Sequence, residues 1–332
     1  MFVCGLQRGG TSVLARNVAK LEGCTGFQHT GFYYDEGQYL QDVYPADYGA
    51  GTGNYGFDPR AHLTEDSHLL TSENIERLRR SWHDHWDAQK LICVEKTPHN
   101  LLKTRFLQAA FPNAYFIVIW RHPVAVSLAT QKWTMTTLHS LFEHWLICHQ
   151  WFDEDRRYLN HLYELSYEDY IQAPGKYHEE LAAFIGTNAP RDGIEEISAV
   201  HNQRYLERWS NLLTNSPWKP YYLYIASKYE PKFAKYNYFL TKGLEANLKQ
   251  FGVGTKSMAA RVGPLYCLGA DVSTFFWRLH GRKMETMTKP IRSLLPRALK
   301  DRIKHVLQRR QLHWAARLVA PRWFEGIQKN VS

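Results

Sequence analysis

The chain has 332 residues, of which 44% are hydrophobic and 22% are charged, a balance that suits a globular protein with a full core. Its five scattered cysteines include no C-x-x-C pair, which argues against a zinc site or a disulfide framework and predicts a reducing, cytoplasmic location. The formal net charge is +9, yet no run of about 18 apolar residues predicts a transmembrane helix, and the N-terminus lacks the pattern of a signal peptide.

The chain opens on a predicted strand, loop and helix. "FVC" is a short apolar strand, and "TSVLARNVAKL" places Leu14, Val18 and Leu21 on one helical face. Between them, "GLQRGGTS" has the spacing of a phosphate-binding loop, but Thr11 stands where G-x-x-x-x-G-K-[ST] has its lysine.

This loop is predicted to bind an anion. The N-terminus of the following helix adds the positive end of its dipole, and an arginine side chain inside the loop supplies further donors. The predicted donors are the Arg8 side chain, the backbone N–H groups of Gly9, Gly10, Thr11 and Ser12, and the hydroxyls of Thr11 and Ser12. The alternative is an ordinary glycine-rich turn between a strand and a helix.

The middle of the chain alternates between strands and helices. A glycine- and proline-rich loop covers about 44–60, and a helix with Ser72 as its N-cap follows. The later predicted elements are, in order, the strand "LICV", the helix "NLLKTRFLQAAF", the strand "AYFIVIW", the helix "PVAVSLATQKW", a helix over about 138–152 and the strand "LYELSYEDY". This order predicts an α/β fold, a P-loop-like, doubly wound parallel sheet flanked by helices, over residues 1–242.

Three of the predicted strands end in chemically active residues: the loop after the first, Glu95 and Lys96 after "LICV", and Arg121 after "FIVIW". Ligands of open α/β sheets bind beyond the carboxyl ends of the strands, so the three segments are expected to form one pocket. Arg121 and Ser127 could hold a second phosphate. The alternatives are a surface ion pair for Arg121 and a local salt bridge between Glu95 and Lys96.

Residues 243–332 are predicted to be a basic, mainly helical C-terminal extension. From Arg278 onward there are 14 Lys/Arg and 3 Asp/Glu, so the entire positive excess lies there. This segment either contacts an anionic membrane or polyanion, or packs as a solvated cap on the domain. Charge alone is compatible with nucleic acid, but no recognition motif supports a specific nucleic-acid partner.

The motifs together resemble a known family. "VCGLQRGGTSVLARNVAKL" looks like the 5′-phosphosulfate loop of sulfotransferases that use 3′-phosphoadenosine 5′-phosphosulfate (PAPS), and "FPNAYFIVIWRHPVAVSLA" is similar to their 3′-phosphate segment. "VEKTPHNLL" resembles an element found between them in bacterial and glycan-modifying members. The resemblance spans about residues 2–240.

The resemblance implies roles for individual residues. The 5′-phosphosulfate would be held by Arg8, Gly9, Gly10, Thr11 and Ser12, and the 3′-phosphate by Arg121 and Ser127. The family more often has Ser or Thr where Gly9 stands, so one hydroxyl is missing here. PAPS would be the co-substrate, and no metal is expected.

The resemblance also implies a general base and a cation. In "YYDEGQYLQ", Glu36 aligns with the glutamate base of the N-sulfotransferase branch, with Asp35 and His29 as rivals. Lys96 would neutralise charge near the bridging oxygen, together with Arg8. That branch has a histidine where Gln131 stands, which leaves the third catalytic partner open, with Lys132 and His139 as minor candidates. Arg204, Tyr205 or Trp209 could contact the nucleotide; the alternative is a helix that packs Tyr205 and Trp209 into the core.

The sequence therefore predicts a PAPS-dependent sulfotransferase acting on an acceptor hydroxyl, or an amine, of a glycan, glycolipid or other small molecule. The alternatives are a P-loop nucleotide phosphotransferase (kinase) and a non-catalytic polyanion-binding protein. Thr11 in place of the lysine and the lack of an aspartate-ending strand for Mg²⁺ argue against the phosphotransferase.

Overall fold

The computed structural model describes residues 1–46, 51–132, 136–190, 193–198 and 200–241. The predicted basic, mainly helical extension over residues 243–332 lies outside the described residues.

The described residues form one five-stranded sheet in the order β2-β3-β1-β4-β5, and every neighbouring pair is parallel. The strands are β1 (Phe2–Gly5), β2 (Cys24–Gly26), β3 (Ile92–Lys96), β4 (Phe116–Trp120) and β5 (Leu162–Ser166). The chain begins in the middle of the sheet and extends it to both sides, which confirms the predicted doubly wound α/β fold. Strands β2 and β3 lie on one side of β1, and β4 and β5 lie on the other, so the strand order reverses at β1. Folds of this kind bind their ligands at such a point.

Helices connect the strands and continue after the sheet. Their bounds are α1 (Thr11–Val18), α2 (Ser72–His83), α3 (Thr104–Ala110), α4 (Pro123–Thr130), α5 (Leu138–Asp155), α6 (Tyr167–Gln172), α7 (Pro174–Ile185), α8 (Val200–Thr214) and α9 (Lys219–Phe233). A 3₁₀ segment, Pro98–Leu102, lies between β3 and α3.

The chain divides into two compact units. The first comprises Met1–His122 and His144–Gln203 and contains all five strands. The second, within the described residues, comprises 123–132, 136–143 and 204–241.

In the first unit the core lies between the sheet and its helices. Leu14 and Val18 of α1 are buried, as is Leu21 three residues beyond the end of the helix, and all three share a cluster with Val3 and Ile117 of the sheet. This burial fixes the direction of α1, and therefore the position of the loop that precedes it.

In the second unit, aromatic side chains pack around Phe142. Its ring centroid lies 5.7 Å from that of Trp209 and 5.6 Å from that of Tyr229. Trp209 is buried, so the interpretation of this residue as part of the core is confirmed.

Several local predictions were wrong. The N-cap of α2 is Thr71, whose side chain accepts from the Asn74 N–H, and not Ser72. "NLLKTRFLQAAF" is not one helix, because a 3₁₀ segment ends before α3 begins. The last strand stops at Ser166, where the serine side chain caps α6. The three-residue β2 was not predicted.

Candidate active site

The loop after β1 ends in a glycine that no other residue can replace without strain. Gly10 has φ 103° and precedes α1 without any side-chain cap. A Cβ atom added to Gly10 would lie 2.5 Å from Cδ2 of Tyr167. The first turn of α1 contains no acidic residue, and helix N-termini leave N–H groups without intrahelical partners. The end of the loop therefore suits an anion.

Gly9 has a different role from the one predicted. Its N–H donates to the Leu6 carbonyl at 2.8 Å, so it closes the loop and does not point outward. An added Cβ would lie 2.7 Å from the same oxygen, so the close turn leaves no room for the serine or threonine common in the family. Arg8, next to it, is exposed and has a left-handed φ of 65°.

Arg121, directly after β4, contacts this loop. Its Nη1 donates to the Arg8 carbonyl at 2.6 Å, and its Nε donates to Oδ1 of Asn202 at 3.2 Å. The guanidinium carbon lies 4.0 Å from the ring centroid of Tyr167. The structure thus joins two of the predicted segments, since a buried arginine at the end of β4 holds the loop after β1.

Glu36 and Lys96 form a buried ion pair. Lys96 Nζ lies 3.1 Å from Glu36 Oε1, and the two side chains are 6% and 8% exposed respectively. The same Nζ donates to the Tyr34 carbonyl at 2.9 Å, while Gln38 Nε2 donates to the other carboxylate oxygen of Glu36 at 2.7 Å. Because Lys96 ends β3, beside β1, the predicted base and cation lie at the same edge of the sheet as the loop.

Glu95 does not pair with Lys96 as a surface salt bridge; it holds the segment that contains Glu36. Its Oε1 accepts from the Gly37 N–H at 3.0 Å and from the Thr97 hydroxyl at 2.5 Å, and its Oε2 accepts from the Asn100 side chain. Burial raises the pKa of Glu95 to about 7, although the Thr97 hydroxyl and Lys96 act in the opposite direction.

The two rival bases occupy strained backbone. His29, Tyr34 and Asp35 have φ values of 55°, 54° and 49°, a region that non-glycine residues rarely adopt. Oδ1 of Asp35 accepts from both the N–H and the hydroxyl of Thr30 at 2.8 Å, which closes this turn. His29 is exposed.

A cavity of about 260 Å³ lies beside α1. Its lining includes Ser12 and Lys96, together with His29 and Asp35, the two rivals of Glu36. Glu36 is not a lining residue, but it is paired with Lys96, which is. The cavity therefore adjoins both the loop and the buried ion pair.

A buried contact behind the loop was not predicted from the sequence. The Gln7 side chain is hydrogen-bonded to Nε2 of His99, and the His99 ring centroid lies 3.8 Å from that of Tyr55. His99 and Tyr55 are each 1% exposed, and burial lowers the pKa of His99 well below its usual value, so its ring is neutral. Nδ1 of His99 has no hydrogen-bond partner among the described residues.

Ser127, Lys132 and His139 lie in the second unit, as do Arg204, Tyr205 and Trp209. Ser127 is buried on α4, and its hydroxyl has no hydrogen-bond partner in the described part of the chain. Lys132 Nζ donates to the Tyr205 hydroxyl at 2.9 Å, and His139 Nδ1 is hydrogen-bonded to the Tyr229 hydroxyl at 2.7 Å. Both minor candidates for the third partner therefore have local contacts within this unit.

The described ranges contain no group of three His, Cys, Asp or Glu side chains that could hold a metal ion. No helix within them combines the length and the apolar character needed to cross a bilayer.

Comparisons with known proteins identify one family. A model described as "Sulfotransferase family" matches residues 1–191, over half of the chain, including the loop, the Glu36–Lys96 pair and Arg121. No curated protein sequence matches the chain.

Solved structures with similar chains include three described as sulfotransferases. The sulfotransferase domain from the curacin biosynthetic pathway is 15% identical, with 68% of this chain and 95% of that chain covered and a TM-score of 0.40. The sulfotransferase from Alicyclobacillus acidocaldarius is 14% identical, with 63% and 90% covered and a TM-score of 0.37. Sulfotransferase STF1 from Mycobacterium tuberculosis H37Rv is 15% identical, with 62% and 70% covered and a TM-score of 0.37.

Proposed function

The chain belongs to the sulfotransferase family and is a sulfotransferase, and on this premise we propose that it transfers a sulfuryl group from PAPS to an acceptor hydroxyl with Glu36 as the general base. The observation that carries the proposal is the buried Glu36–Lys96 pair at the sheet edge where the anion-binding loop ends. A glycan, glycolipid or other small-molecule acceptor, and transfer to an amine, stay predictions of the resemblance.

The loop suits the sulfuryl end of such a donor. Bound PAPS would supply the sulfuryl group, attached to its 5′-phosphate. The N–H groups at the start of α1, contributed by Gly10, Thr11 and Ser12, would bind these oxygens together with Arg8. Gly9 supports this arrangement indirectly, because its N–H closes the turn onto Leu6.

Glu36 would act on the acceptor, and Lys96 would act on the leaving group of the donor. The adjacent ammonium stabilises the carboxylate form that a base requires, and Glu36 would take the proton from the attacking hydroxyl. Lys96 would then stabilise the negative charge that develops on the oxygen between sulfur and phosphorus. Lys96 also fixes the backbone before Glu36 through the Tyr34 carbonyl.

Arg121 and Ser127 are the proposed ligands of the 3′-phosphate. The bond from Arg121 to the Arg8 carbonyl supports a role for this arginine in nucleotide binding, because the same side chain holds the loop. Ser127 is assigned by the resemblance alone.

Binding of the donor is tested separately from catalysis. Adenosine 3′,5′-bisphosphate, the expected product, should raise the melting temperature without Mg²⁺. A response to ATP with Mg²⁺, and none to the bisphosphate, would reject PAPS as the donor and favour a phosphotransferase.

The base is tested with a matched pair of neighbouring substitutions. Glu36→Gln should lower the rate of labelled-sulfate transfer from PAPS by roughly 10²–10⁴-fold, the usual contribution of a general base. It should still bind adenosine 3′,5′-bisphosphate in calorimetry. Asp35→Asn should keep most of the activity. The reverse pattern would assign the base to Asp35, and full activity in both variants would exclude a carboxylate base from this segment.

A further inference from the structure

Contacts within the protein order the Arg121 side chain. Its guanidinium carbon lies 4.0 Å from the ring centroid of Tyr167, its Nη1 donates to the Arg8 carbonyl at 2.6 Å, and only 7% of the residue is exposed. Trp145 Nε1 also donates to the Arg121 carbonyl at 3.1 Å, which fixes the backbone after β4. An arginine side chain loses about 2 kcal/mol of rotamer freedom when it is ordered. Contacts that order it in advance therefore lower the cost of binding a ligand.

A further contact to Arg121 comes from the start of α8. Asn202 lies in the first turn of this helix and is 7% exposed, and its Oδ1 accepts from Arg121 Nε at 3.2 Å. It lies two residues before Arg204, the first of three candidate nucleotide contacts in the helix, and was itself not predicted. The structure therefore gives Asn202 a contact with the proposed nucleotide site that the sequence did not indicate.

Glu168 fixes the orientation of the Asn202 amide. Nδ2 of Asn202 donates to Oε1 of Glu168 at 3.0 Å, and the same oxygen accepts from the His122 N–H at 3.1 Å. A carboxylate only accepts hydrogen bonds, so the amide turns its NH₂ group toward Glu168 and its oxygen toward the guanidinium. The reversed amide would place donor against donor and acceptor against acceptor. Glu168 thus determines which amide atom Arg121 meets.

The two side chains differ in charge. Asn202 supplies an acceptor to Arg121 without adding a charge. Glu168 carries a negative charge, which opposes the binding of a nearby phosphate through space. Its hydrogen bonds to Asn202 and His122 act in the opposite direction, because they hold the groups that surround Arg121. Substitution of Glu168 can therefore separate the two effects.

We propose that Asn202 and Glu168 are positioning residues for the donor, because they hold Arg121 in the orientation that binds the 3′-phosphate without contacting the donor themselves. The inference rests on the proposed function, in which Arg121 binds that phosphate. A guanidinium carries five N–H groups, so a phosphate can bind while Nε stays hydrogen-bonded to Asn202. The contribution of the pair is therefore confined to nucleotides that carry a 3′-phosphate.

The test compares two nucleotides that differ only in the 3′-phosphate, adenosine 3′,5′-bisphosphate and adenosine 5′-monophosphate, by calorimetry. Asn202→Ala should weaken binding of the bisphosphate about tenfold, since it removes a hydrogen bond to a charged group, and Asn202→Asp should weaken it further by adding a negative charge. Both variants should bind the monophosphate as the wild type does. A purely structural role would weaken both nucleotides, so equal losses for the two, or no loss, would overturn the proposal.

Matched changes on the same helix provide the control. Asn211 is exposed on α8, and Asn211→Ala and Asn211→Asp should alter neither affinity. If Asn211→Asp weakens bisphosphate binding as much as Asn202→Asp does, the effect is one of overall charge and the role of Asn202 is overturned.

The Glu168 variants test the direction of the effect. Glu168→Ala should weaken bisphosphate binding several-fold, whereas the loss of a repulsive charge alone would strengthen it. Glu168→Gln, whose side-chain oxygen can still accept from Asn202 and His122, should restore most of the affinity. Tighter bisphosphate binding by Glu168→Ala than by the wild type would show that Glu168 acts by repulsion and would overturn its positioning role.

The two proposals fail in different ways. If the wild type binds the bisphosphate no more tightly than the monophosphate, Arg121 is not a ligand of the 3′-phosphate, and the donor assignment falls together with this inference. If the wild type prefers the bisphosphate and Asn202→Ala keeps that preference in full, the positioning role is wrong and the donor assignment stands.

Discussion

Replacing Glu95 by glutamine should change how the stability of the protein depends on pH. Glu95 is 1% exposed, and burial raises its pKa from an ordinary 4.5 to about 7. The folded state therefore binds this proton more tightly than the unfolded state does. The resulting stabilisation is fully present below pH 4.5, is lost as the pH rises toward 7, and is absent above that value.

The magnitude follows from the two pKa values. At about 1.4 kcal/mol for each unit between 4.5 and about 7, the full effect is about 3 kcal/mol. Between pH 5 and pH 8, linkage gives a loss of about 2.5 kcal/mol in the free energy of unfolding. Glu95→Gln removes this proton, so the variant should lack that part of the slope.

Urea unfolding at pH 5 and pH 8 measures the loss in the free energy of unfolding for the wild type and for Glu95→Gln. Histidines and other groups that titrate in this range are shared by both proteins, so they cancel when the slopes are subtracted. Glu179→Gln, a matched change at an exposed position, should keep the wild-type slope. If Glu95→Gln and the wild type lose the same free energy between pH 5 and pH 8, the buried carboxyl does not titrate as the structure indicates.

Three further predictions concern the loop and the ion pair. Gly10→Ala should abolish binding of adenosine 3′,5′-bisphosphate in calorimetry, because φ is 103° and the added Cβ meets an aromatic ring; unchanged affinity would contradict the loop geometry. His99→Phe should weaken the same binding at least fivefold by removing the partner of Gln7, whereas His99→Gln, which can still accept a hydrogen bond, should restore most of it; equal affinities would exclude this contact. Lys96→Met should lower the free energy of unfolding in urea by about 3–5 kcal/mol, since it removes the ammonium that contacts the buried Glu36 carboxylate, and adding Glu36→Gln should recover part of that loss; an unchanged midpoint for Lys96→Met would contradict a stabilising role for the buried pair.

The parts of the fold that could be predicted are those with a local signal. Continuous apolar runs marked β3 and β4, and the apolar face of α1 followed from its periodicity. The strand β2 has only three residues, too few for any period to show. Its pairing with β3 decides where it lies, and that information is not local.

Part of the site could be predicted, whereas contacts that depend on how distant segments or the loop pack could not. The resemblance brought Glu36 and Lys96 together although they are 60 residues apart, but the Gly9 N–H bond to Leu6 depends on how the loop closes. Gln7 and His99 lie in two different motifs, each just after a strand. They are brought together only by the parallel pairing of β1 with β3, which places the carboxyl ends of these two strands side by side.

The bond from Arg121 to the Arg8 carbonyl has a thermodynamic consequence. If this arginine binds one end of a nucleotide, the shape of the loop and the occupancy of that end are linked, and each must affect the other by the same free energy. A donor fragment without its 3′-phosphate would then lose more affinity than the contacts of that phosphate contribute by themselves. The two ends of the nucleotide would be recognised as a single cooperative unit.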